Sequence, residues 1–581
     1  MECSVCLQEY VVPAREPQVL SCGHTFCKEC VAIISAASGV RCPVCRLSTP
    51  AGEVRVNFAL RDALSSGAAA AGAAPQAQAA PATPAAPEPM DEDLVVNLRV
   101  IAQPVVGGME DGNTEADVLV SVVPPSGSSR SPCDVCCVVD VSDSMGAEAM
   151  AKDGAGATTS HGLEILDVVR HALRTIIHTL GSNDRLAVVA YASGARAVLQ
   201  PTAMDEQGRR TAAARLALLQ LDGMTNLWSG LQLGVDLLAA ARQPGRLQHI
   251  LLLTDGVPNI NPPRGIVPML QKVKQNMGGT LPCSVSTFGF GNDLDSELLV
   301  ELARIGSGSY AFIPDAGFVG TVFVNAMSNL LVTMASNVSL RLRPAAGAGI
   351  SASGARGCAP PKAVGDGIEV DLVSLQFGQS RDVFLRMRLP PDCATGADFL
   401  QAEVQYTTRD QALPKTVAAT GKLAVALSAE ESEELEVQRC RATFVDSVRQ
   451  VMKKAKLTNL DKLQGKALPL PDAQALVTEA AAAIRASPAA DLPPVEGILE
   501  DLEGQVAEAL SREEWYTKWG VHYLPSLVGA HLLQQCNNFK DPGVQAYGGE
   551  LFGDIRDEAD EVFCGLPPPV RTVRPSPQQA A

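Results

Sequence analysis

The chain has few aromatic residues and no long apolar run. Phe, Trp and Tyr make up only 4% of its 581 residues. Its longest apolar runs, such as "HILLLTDG", stop well short of the roughly 20 residues that a bilayer-spanning helix needs. We therefore expect no membrane insertion.

Positive charge is also scarce. The 47 basic residues are outnumbered by 64 acidic ones, which gives a formal charge of −17, and no segment concentrates lysine or arginine. Nucleic acids and anionic membranes attract proteins through clustered cations. The charge balance therefore argues against nucleic acid as a partner.

We also expect no secretory leader, because "MECSVC" offers neither a basic segment nor an apolar one. The 16 cysteines should then be thiols or metal ligands and not disulfides. We expect a cytoplasmic location, and the nucleus is also possible.

A chain of this length exceeds one hydrophobic core, so several folded units are expected. The Ala/Pro-rich sequence "SSGAAAAGAAPQAQAAPATPAAPEPMDED" has almost no large apolar side chain to bury. It predicts a flexible linker, which we place at residues 51–93.

Strand and helix patterns alternate over residues 131–335. The apolar strands include one at Cys137 to Val139, "RLAVVAYAS", "HILLLTDG" and "CSVSTFGFG", and the helices include "HGLEILDVVRHALRTIIHTLG" and "NLWSGLQLGVDLLAAA". This alternation predicts a doubly wound α/β domain, with a mainly parallel sheet and helices on both faces.

Two-residue periodicity flanks this domain. Residues 336–427 contain "NVSLRLRP", "IEVDLVSL", "VFLRMRLP" and "AEVQYTT", which together predict a small β-sandwich. Strands within residues 94–130 could complete it. The α/β domain would then be inserted in the sandwich or flanked by it.

The C-terminal part is predicted to be α-helical over residues 428–512. Ser428 and Glu431 form a capping-box pattern, and apolar residues follow at helical spacing. These residues are Leu435, Val437, Cys440, Phe444, Val448 and Val451. A small folded segment is expected at 513–566 and a disordered tail at 567–581.

The first 50 residues contain eight candidate metal ligands. These are Cys3, Cys6, Cys22, His24, Cys27, Cys30, Cys42 and Cys45. Zinc takes four nitrogen or sulfur ligands, so eight ligands indicate two structural zinc ions. Metal binding would supply most of the folding free energy, roughly 10 kcal/mol or more per site.

This spacing resembles the RING finger of the C3HC4 type, and all eight positions match. The resemblance implies a cross-brace in which Cys3, Cys6, Cys27 and Cys30 hold one zinc. Cys22, His24, Cys42 and Cys45 would hold the other. Another two-zinc module, used only for binding, is the alternative.

The RING resemblance also implies an activity, that of an E3 ubiquitin ligase. Val5, Ile34 and Pro43 match positions that contact a ubiquitin-conjugating enzyme, and Arg46 matches a cation that clamps the ubiquitin thioester. Such a ligase forms no covalent ubiquitin intermediate, because it acts by orienting the charged conjugating enzyme.

A second metal site is predicted in the α/β domain. Asp140, Ser142 and Ser144 follow a strand in "VVDVSDSMG", Thr225 lies in "DGMTNLWSG", and Asp255 follows a strand in "LLLTDG". Ligands of doubly wound sheets bind at the carboxyl ends of strands. Hydroxyl and carboxylate oxygens are hard donors that suit Mg²⁺.

These five residues resemble the metal-ion-dependent adhesion site of von Willebrand A domains. The resemblance implies one Mg²⁺ and a protein substrate or partner that supplies an exposed acidic residue. The alternative is an A-type domain that packs as a scaffold and binds partners through another face.

Other cysteines and histidines receive a structural interpretation. In "CDVCCVVD", Cys136 and Cys137 should point to opposite faces of a strand as buried thiols. We expect His522, His531 and Cys536 to pack around Trp515 and Trp519. The region from about residue 430, notably "CNNFKDPGVQAYGG", resembles the segment after the A domain in vWA/Hint proteins, without the self-cleaving Hint domain.

The order of these segments is similar to that of plant wavy-growth-type RING ligases with an A domain. It implies a ligase whose A domain recruits a substrate or scaffold. A non-enzymatic adaptor that assembles protein complexes is the alternative, and an extracellular adhesion protein is disfavoured by the missing leader.

Overall fold

A computed structural model describes residues 15–20, 25–36, 39–41, 48–50, 54–56, 94–105, 114–127, 130–152, 158–390, 393, 395–408, 414–424, 426–456 and 468–571. The chain forms two compact units, Met1–Ala86 and Pro87–Ala581. Most of the linker predicted at 51–93, and residues 572–581 of the predicted tail, lie outside the described residues.

The first unit has short elements. They are β1 (Pro17–Val19), β2 (Thr25–Cys27), α1 (Lys28–Ile34), β3 (Ser35–Ala36), β4 (Gly39–Arg41), β5 (Ser48–Thr49) and β6 (Arg55–Val56). They build two three-stranded sheets, β2-β1-β6 and β3-β4-β5. Among the described residues, the large apolar side chains buried here are Leu20, Phe26, Val31 and Val40. This core is small.

The second unit begins with two antiparallel strands, β7 (Asn97–Pro104) and β8 (Thr114–Val123). The α/β domain follows. Its elements are β9 (Cys133–Asp140), β10 (Glu148–Lys152), β11 (Thr158–Glu164), α2 (Ile165–Thr179), β12 (Arg185–Tyr191), β13 (Ala195–Ala203), α3 (Glu206–Leu216), α4 (Leu227–Ala240), β14 (Leu247–Thr254), α5 (Ile266–Asn276), β15 (Ser284–Phe290), α6 (Ser296–Ile305), β16 (Tyr310–Ile313) and α7 (Val319–Leu331), with 3-10 turns at Asp143–Gly146 and Ala316–Phe318.

A six-stranded sheet in the order β13-β12-β9-β14-β15-β16 forms the centre of this domain. All neighbours are parallel except the edge strand β13, which is antiparallel to β12. One face packs on α2, α3 and α7, and the other packs on α4, α5 and α6. Cys137 belongs to the first core and Cys136 to the second, so the predicted layers and the opposite-facing thiols are confirmed.

Seven more strands follow the α/β domain. They are β17 (Thr333–Pro344), β18 (Gly349–Arg356), β19 (Lys362–Val364), β20 (Gly367–Gln376), β21 (Arg381–Leu389), β22 (Asp398–Thr408) and β23 (Lys415–Lys422). They join the first two strands in two sheets, β19-β20-β17-β22-β23 and β18-β21-β8-β7. Both sheets contribute to one hydrophobic core. Strand β8 pairs with β21 along its length, so the segments before and after the α/β domain meet.

The C-terminal part is helical. Its elements are α8 (Ala429–Lys454), α9 (Leu470–Arg485), α10 (Pro493–Asp501), a π-helix (Leu502–Val506), α11 (Ala507–Leu510), α12 (Glu513–Trp515), a second π-helix (Tyr516–Gly520), α13 (Val521–Leu533), a 3-10 helix (Pro542–Ala546) and α14 (Glu550–Gly565). The capping box of Ser428 and Glu431 is present at the start of α8. Apart from half-buried Val437, its predicted apolar face is buried.

The structure corrects the sequence interpretation at several elements. Residues 161–164, assigned to a helix, belong to β11. Thr158–Ser160 and Glu164 pair with β10 around an irregular stretch, and the helix begins only at Ile165. The elements β13, α3, α5, β18, β19 and β23 were not predicted. Among the described residues, no helix combines the length and the apolar character required to cross a membrane.

Candidate metal centres

Three strands of the α/β sheet end at the same edge. Asp140 ends β9 and lies opposite Tyr191, which ends β12, while β14 ends one residue before Asp255. The chain crosses from β9 to β12 on one side and later to β14 on the other, so the strand order reverses at β9. Ligands of open α/β sheets bind in the crevice at such a position.

Four of the five predicted oxygen donors form one hydrogen-bonded chain at this edge. The Ser142 amide donates to Asp140 Oδ1 at 2.9 Å, and the hydroxyl oxygens of Ser142 and Ser144 lie 3.1 Å apart. Ser144 Oγ then donates to Asp255 Oδ1 at 2.8 Å. The loops after β9 and β14 therefore meet through their own side chains.

Thr225 is brought to the same edge through its loop. The Asp222 amide donates to Val141 O at 2.8 Å, and the Asp143 amide donates to Gly223 O at 3.1 Å. The Thr225 amide donates to Asn259 Oδ1 at 2.8 Å. The loop that carries Thr225 is thus bonded to the loop that carries the two serines.

Two supporting residues were missed by sequence reasoning. Thr254 Oγ1 donates to Asp140 Oδ2 at 2.7 Å, so Asp140 accepts on both carboxylate oxygens. Asn259 holds the backbone of Thr225 from the loop after β14. The one available signal for Thr254 was its position directly before the aspartate in "LLLTDG".

The electrostatics of this site favour a cation. Asp140 is fully buried, and burial raises its pKa. Burial also raises the pKa of Asp255 to about 6, and the nearby Asp140 charge adds to the rise while the Ser144 hydrogen bond opposes it. The partners that these carboxylates find among the described side chains are neutral hydroxyls. Two buried carboxylates without a basic partner, ringed by hydroxyl oxygens, fit a hard divalent cation.

The predicted zinc ligands are only partly within the described residues. Cys27 ends β2 and Cys30 lies in the first turn of α1, and both side chains are buried. Residues three apart at a helix start are neighbours, as a Cys-x2-Cys pair requires. The other six predicted zinc ligands lie outside the described residues: Cys3, Cys6, Cys22, His24, Cys42 and Cys45. The same is true of Val5, Pro43 and Arg46. Ile34, the remaining predicted contact residue, is the last residue of α1.

Within the described part of the chain, no group of three or more Cys, His, Asp and Glu side chains is arranged to hold a metal ion. The edge site has only two carboxylates, and its other donors are hydroxyls. The Cys27 and Cys30 pair supplies two ligands of that kind. The predicted magnesium site therefore needs its hydroxyl donors as well as its two carboxylates. The predicted zinc site that includes Cys27 and Cys30 needs ligands outside the described residues.

The C-terminal His and Cys side chains are buried, and their contacts lie with several parts of the second unit. His522 bonds to Ser296 of the α/β domain and packs on Phe312. The ring of His531 lies 4.5 Å from that of Phe444, and its Nδ1 is 2.7 Å from Tyr547 Oη. Cys536 donates to a backbone carbonyl at 3.2 Å. These contacts give the three residues packing roles.

Three families match parts of this chain. The Ring finger domain family matches residues 1–46, the von Willebrand factor type A domain family matches 133–312, and the family described as VWA / Hh protein intein-like matches 493–561. These ranges coincide with the N-terminal cysteine cluster, the α/β domain and the C-terminal helices.

Individual relatives match only part of this chain. Uncharacterized protein YfbK of Escherichia coli is 30% identical over 182 residues, which cover 31% of this chain and 30% of that protein. E3 ubiquitin-protein ligase WAV3 of Arabidopsis thaliana is 25% identical over 323 residues, 55% of this chain and 39% of that protein. The match thus spans less than half the length of either relative.

Among solved structures, the von Willebrand factor type A protein from Catenulispora acidiphila aligns with a TM-score of 0.47 and 16% identity. The alignment covers 70% of this chain and 90% of that one. The family matches and the similarity to WAV3 together describe the chain. It carries a RING finger and a von Willebrand factor type A domain, and it is homologous over part of its length to a plant ligase of the RING/vWA kind.

Proposed function

We propose that this protein is a RING-type E3 ubiquitin ligase whose A domain recruits the protein to be modified. The observation that carries the proposal is the RING finger at residues 1–46 in the same chain as an A domain. The similarity to WAV3, which is named an E3 ubiquitin-protein ligase, supports it.

In this proposal the RING promotes ubiquitin transfer by holding the charged conjugating enzyme in a reactive orientation. Two zinc ions, when bound, hold the fold, one through Cys3, Cys6, Cys27 and Cys30 and the other through Cys22, His24, Cys42 and Cys45. Val5, Ile34 and Pro43 contact the conjugating enzyme, and Arg46 restrains the ubiquitin thioester. The substrate amine attacks that thioester directly, so the ligase needs no nucleophile of its own.

The A domain would supply the recruitment. Asp140, Ser142, Ser144, Thr225 and Asp255 would hold one Mg²⁺, which when bound supplies a Lewis-acidic position for a carboxylate of the partner. The protein's own contribution is the rigid placement of these donors by the hydrogen bonds around Asp140 and Asp255. A substrate or scaffold with an exposed acidic residue fits this site.

The proposed organisation separates the two tasks. A RING at 1–50 is tethered by the linker at 51–93 to an A domain at 131–335. This domain is inserted in a β-sandwich built from 94–130 and 336–427, and helical segments at 428–512 and 513–566 follow. The pairing of β8 with β21 supports the insertion. A cytoplasmic or nuclear location is part of the proposal, supported by the buried thiols of Cys136, Cys137 and Cys283.

A reconstituted transfer assay tests the proposal. The full chain is incubated with ubiquitin, activating enzyme, ATP and each member of a panel of conjugating enzymes. We expect ubiquitin to be discharged faster from at least one of them, and the chain to be modified. Zinc-loaded protein that accelerates discharge from none would contradict the ligase assignment and favour the adaptor.

A further inference from the structure

The second unit contains a cavity of about 760 Å³ at the amino-terminal ends of β14 and β15. It lies at the opposite end of β14 from the carboxylates of the candidate metal edge. Three parts of the chain line it: the α/β domain, the antiparallel strands that follow it, and the end of α13 at Leu533 and Gln535. Its volume is within the roughly 300–1,000 Å³ range of small-molecule sites.

The charge of the lining is opposite to the charge of the chain. Its described residues include Arg242, Arg246 and Lys274 and contain no Asp or Glu, although the chain as a whole has a net charge of −17. Arg246 is paired with Asp134 at 2.7 Å. Lys274 Nζ instead donates to the carbonyl oxygen of Ile305 at 2.8 Å, and Arg242 is exposed. At least two cationic groups are therefore available to an anion.

Buried polar atoms in the lining have no partner among the described residues. His249 is 9% exposed, and its Nδ1 lies 2.6 Å from Ser284 Oγ while its Nε2 has no hydrogen bond. Thr408 is 2% exposed, and its Oγ1 is likewise unpartnered. Buried polar groups are normally hydrogen-bonded, because an unmade bond leaves the desolvation cost uncompensated. These unpartnered atoms belong to residues that form the cavity wall, but the atoms themselves are covered by protein.

The backbone around the cavity is strained. The non-glycine residues with positive φ in the described part of the chain are Ser307, Asn337, Val373 and Gln534. The first three line the cavity, and Gln534 lies between lining residues Leu533 and Gln535. Left-handed backbone is especially unfavourable for a β-branched side chain such as Val373. Strain of this kind gathers at ligand sites, where the surrounding structure holds it in place.

We propose that this cavity binds a small organic anion that carries a phosphate or carboxylate group. Lys274 and Arg242 supply the positive charge, and the serine and threonine hydroxyls of the lining supply hydrogen bonds. The apolar body of the ligand packs on Leu247, Leu281 and Leu330. The absence of lining carboxylates among the described residues disfavours a metal cation. This site is independent of the proposed ubiquitin transfer.

The test is isothermal titration calorimetry of the full chain with phenyl phosphate, benzoate and uncharged benzyl alcohol. We expect saturable binding of at least one anion and weaker binding of the alcohol. Tighter binding of phenyl phosphate assigns the site to phosphate ligands, and the reverse order assigns it to carboxylates. No saturable binding of either anion at concentrations up to about 1 mM overturns the proposal.

Variants locate the binding. Lys274→Gln should weaken anion binding by about tenfold or more, because a charge-assisted hydrogen bond is lost. Lys272→Gln is the matched control, since Lys272 is exposed on the same helix and outside the lining. If Lys274→Gln alters thermal unfolding, the exposed Arg242→Gln replaces it, with a smaller loss expected. Wild-type affinity in the variant used overturns the proposal.

Discussion

The N-terminal unit and the α/β domain both have predicted metal centres, but the two folds are expected to depend on their metals to different degrees. In the first unit the described core contains few large apolar side chains, and buried Cys27 and Cys30 lie among them. The α/β domain buries two large cores on either face of a six-stranded sheet. We therefore expect the first fold to need its metal and the second fold to position one.

The energetic difference follows from these cores. Structural zinc contributes roughly 10 kcal/mol or more per site to folding, which is more than the few apolar side chains buried among the described residues of this unit would supply. Each fully buried aliphatic side chain contributes about 1.5–3 kcal/mol, so the α/β domain accumulates its stability without a metal. Loss of zinc should therefore unfold the first unit, and loss of Mg²⁺ should leave the second folded.

The largest effect is expected from Cys30→Ala. Removal of one buried thiolate ligand should release zinc, unfold the first unit and abolish ubiquitin transfer by the full chain. Zinc content by mass spectrometry and a transfer assay measure the result. Cys136→Ala is the control, because it removes a buried thiol of the α/β domain and should leave two zinc ions bound. Two zinc ions in the Cys30 variant would disprove the ligand assignment.

The second-largest effect is expected from Asp140→Asn. The change keeps the shape of a fully buried side chain but removes one of two charges at the edge site. Loss of a residue that bonds to a metal ligand typically lowers metal affinity by about 10–100-fold. Because Asp140 is itself a predicted ligand, we expect Mn²⁺ or Mg²⁺ affinity to fall by at least about 100-fold. Calorimetric titration measures it, and thermal unfolding should change little.

Asp143→Asn provides the comparison for that variant. Asp143 is exposed in the same loop, and its side chain lies outside the predicted donor set. It should bind metal as the wild type does. Equal metal affinity in the Asp140 and Asp143 variants would rule out the proposed site.

Arg46→Ala tests the RING without touching a ligand. Loss of a charged contact to the thioester should slow discharge from the conjugating enzyme by about tenfold or more, while zinc content stays the same. Single-turnover discharge measures it. Lys28→Ala, which changes an exposed cation on α1, should behave as the wild type. Lost zinc in the Arg46 variant would show a structural role instead.

The smallest effect is expected from Thr254→Val. It removes the hydroxyl that donates to Asp140 Oδ2 and retains a β-branched side chain. Metal affinity should fall by roughly tenfold, the lower end for an outer-sphere partner. Thr287→Val is the matched control, because this buried threonine of the neighbouring strand donates to Leu299 O instead. A similar loss in both variants would indicate general destabilisation.

Much of the contrast between the N-terminal unit and the α/β domain could be predicted from the sequence. The Cys-x2-Cys spacings are local, so they indicate the zinc ligands without any knowledge of the fold. The α/β domain was predicted because apolar strands such as β14 alternate with amphipathic helices. Asp140 and Asp255 could be placed together because both follow strands of one parallel sheet.

Other features depend on tertiary context. Residues 161–164 carry a helix-like pattern, but pairing with β10 overrides it. Strand β13 is mostly exposed or half-buried and includes Pro201, so its periodicity is weak. Thr254 is one hydroxyl among many until the fold places it against Asp140. The anion cavity draws on three distant segments, which no local pattern connects.

The division of labour between the two units is tested most directly by self-ubiquitination of the Asp140→Asn chain. The RING is expected to fold on its own zinc, and the linker is expected to transmit no strain. The account therefore predicts a rate equal to that of the wild type under conditions where Cys30→Ala shows none. A rate that falls in Asp140→Asn to the level of Cys30→Ala would contradict the account, because the edge site would then be required for transfer itself.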